Sequence, residues 1–152
     1  LAIVVHSRTH RSFGAYGREE AGVILEEILP AAPDVSIQIA HLWGGADVSE
    51  EALGVFADAV SSGDPRARNL LFDLTEIDLA IGDSEGTWAK IAERIRQIGL
   101  DRILYGSDMR HSPQGPPSTL GWSRLVRRSP LTDVELADIA DNVAPYLQST
   151  RP

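Results

Sequence analysis

The sequence predicts a parallel α/β fold, built either as part of a (β/α) barrel or as a doubly wound sheet. Short apolar, β-branched runs alternate with amphipathic helical patterns, and each run is closed by a polar residue. Those closing residues are evenly spaced: 35 residues from His6 to His41, 34 from His41 to Thr75, and 33 from Thr75 to Asp108. A (β/α)₈ barrel of about 250 residues uses roughly 31 per unit, so the steps suit it. A doubly wound sheet accommodates the same spacing.

The first run, residues 1–5, reads "LAIVV" and is apolar throughout, as a strand covered on both faces would be. A helix over 19–29 follows, apolar at Val23, Ile24, Leu25, Ile28 and Leu29, with Pro30 and Pro33 as its stop. The run at 35–40 alternates, Ser36 and Gln38 against Val35, Ile37 and Ile39, which also fits a barrel strand with two different faces. Leu53, Phe56, Ala57 and Val60 mark the next helix at i, i+3, i+4 and i+7, with Glu50 and Glu51 in its first turn. After the run at 70–74, Trp88, Ile91, Ala92 and Ile95 repeat the spacing, and Gly99 stops it. The run at 102–105 precedes a long loop at 109–131, rich in Pro and Gly. The last helix carries Leu136, Ile139, Ala140 and Val143 behind a capping box of Thr132 and Glu135.

The chain has 152 residues, 43% of them hydrophobic, which is ordinary for one packed domain. A formal charge of −8 argues against a nucleic-acid partner, because a phosphate footprint needs a basic face. With no cysteine, disulfide and thiolate chemistry are excluded. There is no apolar run long enough for a membrane span, and no signal segment. The reading therefore favours a cytoplasmic location without fixing it.

In either parallel fold, residues just past the carboxyl ends of the strands meet on one rim. His6, His41 and Asp108 stand at such ends, and two imidazoles with a carboxylate suit a divalent metal such as zinc. Taken singly, each has a structural reading as a hydrogen-bonded strand-end residue. Asp73 reads as a cap of the turn that follows it. Arg8 has the planar fork that binds a carboxylate, and equally that of a surface ion pair. His10 and His111 read as solvated loop residues. Gly44 and Gly45 form a turn, since the lysine and spacing of a phosphate loop are missing.

Together, "VVH", "IQIAHLWGG", "RILYGSDM" and the tail "LADIADNVAPYL" with Asn142 resemble the amidohydrolase-related (amidohydrolase 2) family. That family belongs to the metal-dependent hydrolase superfamily and includes non-oxidative decarboxylases. The resemblance implies that these residues form the C-terminal half, strands 5–8, of a (β/α)₈ TIM barrel. By the same resemblance His6 is a metal ligand, His41 either binds the metal or acts as the catalytic acid or base beside it, and Asp108 is both a metal contact and a proton shuttle. The family's His-x-His pair on the first strand is missing; the two His of "HSRTH" stand four apart and cannot replace it. The expectation is thus a single partial domain over 1–152, inactive by itself, with the N-terminal half of the barrel outside it. The absence of an initiating Met agrees with that expectation.

The implied activity is hydrolysis or decarboxylation of a small carboxylate, lactone or amide. A divalent metal, zinc before manganese or iron, would serve it, with Arg8 and Trp43 contacting the substrate. Open sheet edges predict pairing with the other half or with a second copy, as a homo-oligomer. The competing reading is a non-catalytic α/β domain that binds a small ligand or partner at the strand ends.

Overall fold

Four parallel strands form one sheet in sequential order: β1 (Ala2–Val5), β2 (Ser36–Ile39), β3 (Leu70–Asp73) and β4 (Ile103–Leu104). They belong to a computed structural model that describes residues 2–6, 16–43, 48–75, 77, 85–106 and 119–148. The switch in strand order that defines a doubly wound sheet does not occur among these four. Registration places Ile3, Ile37 and Leu70 in one row and Val5, Ile39, Phe72 and Ile103 in the next, on one face. Val4, Gln38 and Leu71, then Asp73 and Leu104, stand on the other.

The first face is the core. Helices α1 (Tyr16–Val23), α2 (Glu50–Ser61) and α3 (Glu85–Ile98) pack in series, α1 on α2 and α2 on α3. Their apolar stripes bury Leu53, Phe56, Trp88, Ile91 and Ile95 in one cluster with Ile37, Ile39, Leu70, Phe72 and Ile103. This is the side to which the 3.6-residue periodicity pointed. On the other face Leu71, Asp73 and Leu104 are also buried; among the described residues Ala144 packs against Leu71 and Leu104, and Tyr146 bonds Gln38.

The first helix departs from expectation. It begins earlier, at Tyr16, and passes Pro30: a π-helical turn (Ile24–Ile28) leads into a last α turn (Leu29–Ala31). Leu29 N–H bonds the Ile24 carbonyl, five residues back. Widening the helix at that point makes room for the Pro30 ring, which would otherwise press on the Glu26 carbonyl.

The expected long loop at 109–131 needs a similar correction. It contains helix α4 (Thr119–Arg128). Leu125 is buried and Trp122 meets Tyr105 edge-on at 4.9 Å, so tertiary packing holds a segment that Pro117 and Gly121 marked as loop.

Helix α5 (Asp133–Asp141) starts at the predicted capping box, which forms in full. Its Glu135 also takes the Arg96 guanidinium of α3 at 2.5 Å, and at its far end Asn142 Nδ2 donates to the Leu100 and Ile103 carbonyls. The second contact blunts the β4 edge. Arg96 first, and then the Thr132 N–H, hold the Glu135 carboxyl down at about 2, from 4.5. Its folded value lies below its unfolded value, so the clamp stabilises fully above about pH 4.5 and is lost as pH falls toward 2. Melting temperatures of wild type and Glu135→Gln should therefore differ at pH 7 and converge near pH 2. A gap that ignores pH would mean that Glu135 acts by shape alone.

Candidate functional site

The site lies where β1, β2 and β3 end. β2 stops at Ile39 in extended geometry, and the chain then turns through three consecutive left-handed residues: His41 (φ 56°), Leu42 (φ 48°) and Trp43 (φ 61°). For residues with a Cβ this costs roughly 1–2 kcal/mol each. Two sets of contacts offset the cost. Leu42 and Trp43 are fully buried, Trp43 against Phe56 with ring centroids 5.5 Å apart. On the other side of the turn, Asp73 and Thr75 hold His41. A backbone strained in this way at a strand end is characteristic of functional positions.

Asp73, the last residue of β3, is only 4% exposed. Its Oδ1 accepts from His41 N–H (3.0 Å), from Thr75 N–H (3.2 Å) and from Thr75 Oγ1 (2.5 Å). Gln38 Nε2 donates to Oδ2 at 2.7 Å, and Tyr146 OH donates to Gln38 Oε1. His41 Nδ1 lies 2.7 Å from Thr75 Oγ1 and 2.9 Å from the Thr75 carbonyl. Strand β4 must come close for this to fit. A Cβ on Gly106 would stand 2.5 Å from Thr75 Cγ2, so only glycine allows the Thr75 side chain its place. The Tyr146 hydroxyl is pushed above its usual pKa, by burial and by the Asp73 charge.

His6 follows β1 and is exposed, and its ring meets that of His41 edge-to-face, centroids 4.8 Å apart. The fold thus brings the two strand-end imidazoles together across 35 residues of sequence. Beside them a cleft of about 390 Å³ opens between the end of β1 and the π-helical turn, lined by His6, Glu19, Ile24, Ile28 and Trp43. Trp43 forms one of its walls with the ring 1% exposed, and its indole Nε1 has no hydrogen-bond partner among the described residues. That nitrogen faces Gly17, where a Cβ would approach it to 3.3 Å. Asp108 and Arg8 lie outside the described residues.

Asp73 is both what the sequence suggested and more. It caps the following turn, but it also reaches the neighbouring strand. Gln38 and Tyr146 were not foreseen. The alternation of residues 35–40 put Gln38 on the face away from the helices, whereas nothing local marks Tyr146, 108 residues further on.

No group of three His, Asp or Glu side chains among the described residues is arranged to hold a metal ion. His6 and His41 supply two nitrogens of the right kind. Anchoring the far nitrogen of an imidazole on a carbonyl, as Thr75 does for His41, is the usual way a metal-binding or proton-transferring ring is oriented.

By structure, the chain is similar to half of a decarboxylase. The crystal structure of 5-carboxyvanillate decarboxylase LigW from Sphingomonas paucimobilis matches 93% of the chain at a TM-score of 0.52 and 15% identity. The chain spans 47% of that enzyme. At this identity the likeness concerns the fold. No protein family and no curated protein matches the sequence.

Proposed function

We propose that these residues form the C-terminal half of a barrel enzyme that decarboxylates or hydrolyses a small carboxylate-bearing substrate. The observation that carries this reading is the His6–His41 pair at adjacent strand ends, with His41 Nδ1 anchored on Thr75. The structural likeness to half the length of a decarboxylase supports it. So does the β1 edge, which no strand among the described residues pairs and where Ile3, Val4, Val23 and Ile28 are exposed, Val4 to 57%. A parallel sheet is ordinarily buried on both faces, and a further strand–helix unit on β1 would cover these side chains.

In the mechanism, His41 Nε2, the ring nitrogen that Thr75 does not hold, takes a proton from water during hydrolysis or, when the ring is the imidazolium, gives one to carbon before CO₂ leaves. His6, beside it, and Asp108 would hold a divalent metal, whose chemistry is to polarise a substrate oxygen and acidify water. Arg8 would orient the substrate carboxylate through its planar guanidinium. Trp43 packs beneath the turn that carries His41 and walls the cleft.

Metal analysis and activity on the complete barrel polypeptide test the reading. Zinc, manganese or iron should co-purify with it and be lost in His6→Asn, and CO₂ release or hydrolysis should be measurable on small aromatic and aliphatic carboxylates. A metal-free, inactive protein would favour the binding-domain alternative. The isolated 152 residues should self-associate or unfold without cooperativity. A monomer with a sharp denaturant transition would overturn the half-barrel.

A further inference from the structure

We infer that Asp73 is the positioning residue of this site, holding His41 by its backbone and setting where its ring carries the proton. The inference rests on the reading of His41 as the proton-transferring group.

The argument is a count of donors. The Thr75 hydroxyl has one proton, and at 2.5 Å from the buried Asp73 carboxylate it donates there. Its oxygen can then only accept from His41 Nδ1, 2.7 Å away. The Thr75 carbonyl, 2.9 Å from the same nitrogen, can also only accept. Both neighbours therefore require a proton on Nδ1, which places the lone pair of the neutral ring on Nε2, directed away from Thr75.

Asp73 is thus the common acceptor of the network. On Oδ1 it receives the Thr75 hydroxyl and the His41 and Thr75 amides, and on Oδ2 the Gln38 amide. Tyr146, donating to Gln38 Oε1, fixes which way that amide points. The His41 N–H bond acts on the first left-handed residue of the strained turn, so one carboxylate governs both the backbone and the ring. A residue that only capped the turn after β3 would need the Thr75 bonds and neither of the others.

The test is ¹⁵N NMR of the histidine rings and amides, with activity measured in parallel. In wild type the neutral His41 ring should show one tautomer, protonated on Nδ1. In Asp73→Ala the Thr75 hydroxyl loses its acceptor and can turn to donate to Nδ1, so a mixture of tautomers should appear and the His41 amide should shift. Asp73→Asn keeps an acceptor oxygen and serves if the alanine variant fails to fold. It should retain the tautomer while the His41 amide, now bonded to a neutral carbonyl, moves upfield. Turnover should fall about 10- to 100-fold in Asp73→Ala with KM nearly unchanged, and be largely restored in Asp73→Asn. An Nε2-protonated ring in wild type, or His41 signals that ignore both substitutions, would overturn the inference. An inactive, metal-free wild type with the expected His41 signals would instead overturn the enzymatic reading alone.

Discussion

His41→Asn should leave the fold intact and lower turnover of the complete enzyme by about 10²- to 10⁴-fold, the usual contribution of a positioned acid or base. Asparagine suits this position because it tolerates positive φ better than most residues, so the turn at φ 56° can persist. Its amide cannot act as an acid or base near neutral pH, and it is shorter than the imidazole it replaces. Circular dichroism and thermal unfolding should resemble wild type while steady-state turnover collapses. If turnover stayed near wild type, the catalytic role of His41 would be refuted. If the protein unfolded, His41 would be chiefly a structural residue of the turn.

Phe56→Ala should be the most damaging single truncation in the core, costing about 3–5 kcal/mol. Phe56 is completely buried and links two other rings, Trp43 at 5.5 Å and Phe72 at 5.7 Å. Removing it leaves a cavity between α2 and the sheet and deprives Trp43 of the ring it packs on. Domains are stable by only about 5–15 kcal/mol, so a loss of this size is easily read as a shifted denaturation midpoint. It should also reach the site, because Trp43 is the buried end of the turn that carries His41. Urea titration of the complete barrel polypeptide, followed by tryptophan fluorescence, checks both. A loss under about 1 kcal/mol would mean that the site collapses around the missing ring or was never tightly packed.

Much of the fold was legible because it depends on local pattern. The largely continuous apolar runs at 1–5, 70–74 and 102–105, and the alternation at 35–40, all correspond to strands. The stripe of Leu53 and Phe56 and the capping box of Thr132 and Glu135 are short-range signals that survive in the structure. The helix inside 109–131 was hidden because Gly121 and the preceding prolines lower local propensity, and Leu125 earns its place only by burial against distant residues. The start of the first helix was missed for a related reason: residues 16–18 carry no apolar period of their own.

The site divides along the same line. That polar residues close successive strands is readable in the chain alone, and it puts His6 and His41 at one end of the sheet. That their rings touch, that the chain turns left-handed at His41, and that Asp73 serves a neighbouring strand as well as its own turn come from packing across the sheet. The difference is one of range. A hydrophobic period is written within ten residues, whereas the bonds that orient His41 cross 32 and 34 residues, and the one that pins Gln38 crosses 108. Such contacts follow from the packing of a completed sheet, where a buried donor must find its acceptor wherever the chain has placed it.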